Sequence, residues 1–101
     1  MDIQSIQRLA SQIMPQDGHV WLYGSRARGT NDKDSDWDLL ILLNQESIAN
    51  KDHDTYCFPF TMLGWESGEA IVPLLYSMKQ WEQQSFTPFY KNVEKDKIQI
   101  L

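Results

Sequence analysis

The chain has 101 residues, of which 42% are hydrophobic and 23% are charged, as in an ordinary soluble protein. This length favours a single domain over residues 1–101 with a modest core. The formal net charge of −5 argues against a surface that binds a nucleic-acid backbone, because such a surface needs a basic patch. We therefore expect no nucleic-acid polymer as partner.

The single cysteine and the N-terminal residues predict the cellular compartment of the protein. Cys57 is the only cysteine, so no internal disulfide can form and a reducing interior suits the chain. The first residues, MDIQSIQRLAS, lack the basic start and apolar core of a signal peptide. No apolar run approaches the roughly 18 residues that span a bilayer. We expect a cytoplasmic protein with no membrane partner.

Hydrophobic spacing and turn residues predict the elements in chain order. They are a helix over 3–14, a strand over 20–23, one helical turn over 25–29, a loop over 30–35, a strand over 36–43, a polar loop over 44–54 that can include the start of the next helix, a helix over 56–66, a strand over 70–76, helices over 77–85 and 88–95, and a short strand over 98–101. A strand over 57–63 is the alternative to the helix there.

This order predicts an α+β fold, with one small mixed sheet and flanking helices. The strand over 36–43 ends in five consecutive apolar residues, so we expect it to be covered on both faces and central in the sheet. Pro73 places the strand over 70–76 at an edge or a bulge.

The residues that carry chemistry lie in one stretch, GSRARGTNDKDSDWDLLILL, over 24–43. A glycine-serine turn follows the first strand, and its backbone amides suit a phosphate. The stretch continues to Asp36-Trp37-Asp38 at the start of the second strand. Because strand side chains alternate, Asp36 and Asp38 point to one face and Trp37 to the other. Two carboxylates beside such a turn predict a site for a metal and a phosphate.

Two common motifs do not account for this stretch. Gly24 and Gly29 begin like a Walker A loop, but Thr30 and Asn31 stand where lysine and serine or threonine are required. The alternating aspartates resemble a calcium loop without its glycine and its final glutamate. What remains is a site for phosphoryl or nucleotidyl transfer, in which Mg²⁺ takes one or two carboxylates together with the phosphates of the substrate.

The pieces GSRARG (24–29) and SDWDL (35–39) resemble the GSxARG…SDxDL signature of the DNA polymerase β-like nucleotidyltransferase superfamily. The chain is most similar to its minimal nucleotidyltransferases, and its C-terminal third also resembles their tails. The resemblance implies the polymerase β-like nucleotidyltransferase fold and Mg²⁺ as the cofactor.

Carried over by position, the resemblance assigns Gly24 and Ser25 to the β and γ phosphates of a nucleotide. It assigns Asp36 and Asp38 to Mg²⁺ and to catalysis. Arg28 would support the phosphate loop or its acidic neighbours; pairing with an aspartate of the loop is the plainer alternative. Arg26 is a further nucleotide-binding candidate, although its position varies within the motif.

Catalytic members of this superfamily usually carry a third carboxylate on the next strand. The strand over 70–76 contains no acid, and Glu69 just before it is the nearest candidate, with Glu66 behind it. Three explanations stay open. Glu69 takes the third role, or a partner or substrate supplies it, or the site binds nucleotide without efficient turnover.

The resemblance implies transfer of a nucleoside monophosphate, AMP from ATP, to an acceptor hydroxyl. Minimal proteins of this type resemble the antitoxin of a two-protein system, whose partner is a helical HEPN-type ribonuclease toxin modified on a tyrosine. The acceptor would dock from outside or lie at a homo- or hetero-oligomer interface. The alternatives are an aminoglycoside-type small-molecule nucleotidyltransferase, a non-catalytic nucleotide-binding antitoxin, and a structural domain without a nucleotide site.

Overall fold

Four strands form one sheet, and helices lie against both of its faces. The structure is a computed structural model that describes residues 1–101. In chain order the elements are α1 (Ile3–Ile13), β1 (His19–Tyr23), α2 (Ser25–Arg28), β2 (Trp37–Leu43), α3 (Asn50–Tyr56), α4 (Phe58–Ser67), β3 (Ile71–Ser77), α5 (Met78–Gln83), α6 (Pro88–Asp96) and β4 (Ile98–Gln99).

The sheet is mixed, with the strand order β3-β2-β1-β4. β1 pairs antiparallel with β2, so that Tyr23 lies opposite Asp38. β2 pairs parallel with β3, so that Val72 is the neighbour of Asp38 on its other side. β4 adds a short antiparallel edge to β1. The predicted α+β class with one small mixed sheet is confirmed.

β2 is the central strand, and its side chains are buried on both faces of the sheet. Leu39, Ile41 and Leu43 belong to one hydrophobic cluster, and Leu40 and Leu42 belong to another. We call these the α1/α4 face and the α5/α6 face, because the helices supply the buried partners Ile6, Ala10 and Phe60 on the first and Trp81 and Val93 on the second. The expectation of a doubly covered central strand is confirmed.

β3 lies at an edge, as Pro73 predicts, because it pairs only with β2. Proline cannot donate a backbone hydrogen bond, and an edge strand leaves one side free of that requirement. The short strand predicted over 98–101 is present, but it is limited to Ile98–Gln99. The one-turn helix predicted after the first strand is α2.

α3 begins at Asn50, inside the segment over 44–54 that was predicted as a loop able to include the start of the next helix. The carboxylate of Asp52 accepts a hydrogen bond from the backbone N–H of Ala49 (2.8 Å) and another from the side-chain amide of Gln45 (2.8 Å). This carboxylate therefore caps the helix from within its first turn. α3 has too few apolar residues for hydrophobic periodicity to indicate a helix.

The helix predicted over 56–66 is present from Phe58, whereas Tyr56 ends α3, and the alternative strand over 57–63 is wrong. Pro59 stands in the first turn of α4 and Gly68 ends the helix in the left-handed conformation, as the sequence indicated. No helix of the structure is both long and apolar enough to cross a membrane.

α4 approaches the start of β3 closely at Gly64. A Cβ atom there would lie 2.7 Å from the carbonyl oxygen of Glu69 and 3.0 Å from the backbone nitrogen of Ile71. Both neighbours are backbone atoms, so they cannot turn away as a side chain would. The missing side chain of Gly64 thus lets the connection from α4 to β3 lie against the beginning of β2, where Trp37 N–H bonds to the carbonyl of Ala70 (2.9 Å).

Candidate active site

The turn after β1 is bounded by two glycines with positive φ. Gly24 has φ of 78° and caps the start of α2, and Gly29 has φ of 77° and ends it in the left-handed conformation. The carbonyl of Gly24 accepts hydrogen bonds from the N–H groups of Ala27 and Arg28, both at 3.1 Å. Residues with a Cβ adopt such φ values rarely, so glycine is required at both ends of this turn.

The glycine turn touches the acidic pair. A Cβ atom on Gly24 would overlap the carboxylate of Asp38, which belongs to the strand paired with β1. The hydrogen atom at this position lets the main chain of the turn and the carboxylate lie side by side, whereas a Cβ would force the carboxylate to move. The structure brings the predicted phosphate turn and one predicted metal ligand together.

Asp36 and Asp38 form the acidic pair that strand alternation predicts. Asp36 immediately precedes β2 and is exposed, and Asp38 is half-buried at the open end of the α5/α6 face. Burial raises the pKa of Asp38 above its ordinary value, and the negative charge of Asp36 raises it further. The two carboxylates are thus close enough for their negative charges to repel each other, and a divalent cation would relieve this repulsion.

Arg28 is the cation that acts on Asp38. Its guanidinium lowers the pKa of Asp38, against the effects of burial and of Asp36. Its ion pair is with Asp96 at the end of α6 (2.9 Å), and not with the loop aspartates Asp32 or Asp34. About half of the Arg28 side chain stays exposed, so the guanidinium can still meet an anionic ligand beside Asp38.

Arg26 points into a different set of contacts. Its Nε and Nη2 atoms both donate to the carbonyl oxygen of Ser35, at 3.0 and 2.8 Å. The guanidinium lies 4.2 Å from the centre of the Trp37 ring, in a cation–π contact. Only 11% of the side chain is exposed. Arg26 therefore ties α2 to the residue that precedes Asp36.

Glu69 completes this arrangement, which we call the Arg26 cluster (Arg26, Ser35, Trp37 and Glu69). Its Oε1 accepts from the indole Nε1 of Trp37 (3.1 Å) and lies 3.5 Å from Nη2 of Arg26. Its Oε2 is 3.0 Å from the α-amino group of Met1. The hydrogen bond from Trp37 is the main reason that the pKa of Glu69 is lowered. The contacts of Glu69 are thus with Trp37, which points away from Asp36 and Asp38.

The structure does not bring a third acid to Asp36 and Asp38. Nowhere in the structure do three His, Cys, Asp or Glu side chains converge to hold a metal ion. Parallel register places Val72 beside Asp38, and Ala70 one alternation earlier beside Asp36. Both are exposed and neither has an oxygen to offer in its side chain. The place next to the acidic pair on β3 is therefore apolar.

Sequence reasoning missed Tyr23 as a neighbour of the site. Tyr23 lies opposite Asp38 in the β1–β2 ladder, and its ring contacts Phe89 of α6 edge to face, with centroids 5.9 Å apart. Burial raises the pKa of Tyr23 to about 12, with further contributions from Asp38 and Tyr76. Tyr23 could have been identified by pairing the two predicted strands antiparallel, because the register of that pair determines which residue lies opposite Asp38. No sequence pattern pointed to Asp96.

We expect Asp38→Asn to stabilise the protein near pH 7. A raised pKa in the folded state means that folding disfavours the charged carboxylate, so stability is lost as pH rises through that pKa. The neutral amide avoids this cost. Thermal unfolding of both forms across pH 3–8 tests the prediction, with Asp34→Asn in the exposed loop as the control. The melting temperature of Asp38→Asn should exceed that of the original protein at pH 7, and the gap should close toward pH 3. A gap that widens toward acid pH would contradict the raised pKa.

Comparisons with known proteins identify the family and the fold. The family model described as nucleotidyltransferase domain matches residues 3–100. A crystal structure of a toxin-antitoxin with AMP-PNP superposes with a TM-score of 0.68 at 17% identity, covering 100% of this chain and 73% of the other. A mutant of the toxin-antitoxin MntA-HpeT superposes with a TM-score of 0.65 at 14% identity, with the same coverage. Both share the fold.

A comparison with curated proteins finds no match. The family match spans nearly the whole chain, and it includes the glycine turn and the acidic pair on β2. The chain belongs to the nucleotidyltransferase domain family.

Proposed function

We propose that this nucleotidyltransferase binds ATP with Mg²⁺ between the turn Gly24–Gly29 and the pair Asp36 and Asp38. It transfers AMP to a hydroxyl group of a partner protein. The observation that carries the proposal is the contact of Gly24 with Asp38, because it joins the glycine turn to the carboxylate pair. In the transfer, the acceptor oxygen bonds to the α-phosphorus, the bond to the pyrophosphate oxygen breaks, and the hydroxyl proton is released.

The residues present fit Mg²⁺. The ion prefers carboxylate oxygens and commonly uses one or two of them together with substrate phosphates and water. Asp36 and Asp38 would hold it, and their mutual repulsion favours a cation between them. When bound, the ion would neutralise charge on the phosphates and on the leaving pyrophosphate. Arg28, half exposed beside Asp38, would contact a phosphate, and Asp96 would orient its guanidinium.

The solved structures support the choice of nucleotide and partner class. One neighbour is a toxin-antitoxin with AMP-PNP, an ATP analogue. The other is a mutant toxin-antitoxin in which two aspartates two residues apart are changed to glutamate, and Asp36 and Asp38 have the same spacing. We therefore propose that the acceptor belongs to the toxin of such a pair, with a tyrosine hydroxyl as the acceptor group.

A non-catalytic nucleotide-binding antitoxin is the second candidate. The apolar Val72 beside Asp38 and the engagement of Glu69 by Trp37 favour it, because both leave the site with two carboxylates. In this case the chain would neutralise its partner by binding alone. We do not assign Glu69 the role of third carboxylate; we propose that it positions Trp37 and Arg26 instead.

We expect metal-dependent ATP binding to require the acidic pair. Titration calorimetry with ATP should show binding in the presence of Mg²⁺ and much weaker binding with EDTA. Asp36→Asn/Asp38→Asn should remove the difference, because amides lack the charge that holds the ion. Asp32→Asn/Asp34→Asn is the matched control, since it removes two charges from the exposed loop. Equal affinities of both double variants would contradict the site.

Arg26 gives a second prediction, because its contacts identify it as a positioning residue. Arg26→Met should weaken Mg²⁺-dependent ATP binding by about tenfold, the effect of losing roughly 1.4 kcal/mol of charged hydrogen bonding at Ser35. Arg26→Lys should fail to rescue it, since lysine cannot make the paired bonds or the flat contact with Trp37. Calorimetry measures both, with Lys33→Met in the loop before β2 as the control. Full rescue by lysine would indicate instead a direct charge contact with phosphate.

A carboxylate at position 72 should strengthen the metal site. Val72→Asp would place a third acid beside Asp38 on the same face of the sheet. We expect tighter Mg²⁺-dependent ATP binding, by about tenfold, and lower stability without metal because like charges then crowd one place. Val72→Asn is the control for size and polarity. Equal binding of Mg²⁺ and ATP by both variants would show that a side chain at position 72 does not reach the metal site beside Asp38.

A further inference from the structure

One side of α4 carries an apolar stripe that nothing in the chain covers. Phe60 and Gly64 on its inner side are buried. On the outer side, Phe58, Met62 and Trp65 stay exposed by 47%, 41% and 68%. Their spacing places them on one helical face, and the rings of Phe58 and Trp65 meet edge to face with centroids 6.0 Å apart. Helices that are apolar on all sides are normally covered on all sides.

The stripe continues into a groove between α1 and α4. The groove has a volume of about 430 Å³, and its floor and walls include Leu9 of α1 together with Pro59, Met62 and Leu63 of α4. Met62 belongs to both the stripe and the groove. The two features therefore share one surface, whose apolar residues we call the α4 surface (Leu9, Phe58, Pro59, Met62, Leu63 and Trp65). Polar side chains of α1 and α4 complete the lining of the groove (Ser5, Arg8, Gln12 and Glu66).

We propose that the α4 surface is a homodimer interface, in which α4 of a second copy packs against it. The charges beside the surface are self-complementary. Arg8 on α1 and Glu66 on α4 line the groove, both are exposed, and neither forms an ion pair within its own chain. A two-fold axis brings residue i of one copy to residue j of the other, and j to i. Arg8 of each copy can then meet Glu66 of its partner.

The exposed apolar area is that of a small, weak interface. At about 200 Å² per large side chain, the exposed fractions of Phe58, Met62 and Trp65 leave roughly 300 Å² on each copy. Two copies thus bury roughly 600 Å² from these side chains, which is below the ~1,000 Å² of a stable specific interface and suits a weak, concentration-dependent dimer. The central aromatic pair flanked by charges has the layout of an apolar interface core with a polar rim.

Sedimentation velocity of the full chain tests this directly. At about 150 mM salt, where the repulsion between two copies of net charge −5 is screened beyond about 8 Å, the protein should pass from monomer to dimer between about 10 and 500 µM. Met62→Glu and Trp65→Glu should remain monomeric over this range. Both side chains are exposed, so thermal unfolding should show that the variants fold. A protein that is monomeric throughout overturns the proposal, and it would direct the search to a different protein as the occupant.

A charge exchange tests the two-fold pairing itself. Arg8→Glu and Glu66→Arg should each weaken dimerisation several-fold, because each places like charges across the interface. The double variant Arg8→Glu/Glu66→Arg should restore the original affinity, since opposite charges then meet again. Lys91→Glu on the exposed side of α6 makes the same charge change as Arg8→Glu and should have no effect. A double variant as weak as the singles, or singles as strong as the original protein, overturns the pairing.

Discussion

The alternation of side chains along β2 is the constraint on which the rest of the structure depends. Because β2 is central and covered on both sides, each step along it moves a side chain from one core to the other. Trp37 therefore joins the α1/α4 face, and Asp38 joins the α5/α6 face. A slip of β2 by one residue would place Asp38 in the core of the α1/α4 face and move the indole of Trp37 to the other face. The two hydrophobic clusters therefore fix the register of β2, and this register keeps the Asp38 carboxylate at the open end of the α5/α6 face.

The same alternation separates two kinds of arginine contact. On the α1/α4 face, Arg26 is nearly buried. It donates hydrogen bonds to the carbonyl oxygen of Ser35 and stacks its guanidinium on the Trp37 ring. On the other face, Arg28 keeps half of its side chain in water near Asp38. The two arginines stand two residues apart in one motif, yet the first is held by Ser35 and Trp37, and the second pairs with Asp96 and keeps about half of its side chain exposed. Equivalent residue types in a motif can thus have different physical tasks.

Much of the fold follows from local patterns. The apolar run of β2 predicted a central strand, and Pro73 predicted an edge, because both depend on the residues themselves. The start of α3 could be placed only loosely within the predicted loop, because buried hydrogen bonds to Asp52, which leave no periodic signal, hold its first turn. The glycine turn and the acidic pair were predicted from a single segment. The contacts of Glu69 and the ion pair of Arg28 with Asp96, 68 residues away, depend on tertiary packing that no local pattern encodes.

The pairing of β1 with β2 also has a consequence for the order in which the site forms. Gly24 and Asp38 are joined by a short loop, whereas Val72 reaches Asp38 only after the chain has crossed over through α3 and α4. Closing a short loop costs less chain entropy than closing a long one, and local pairings form faster. We therefore expect the turn and its carboxylates to come together before β3 reaches them. The acidic pair is a local unit, and its surroundings are added by the slower, nonlocal part of the fold.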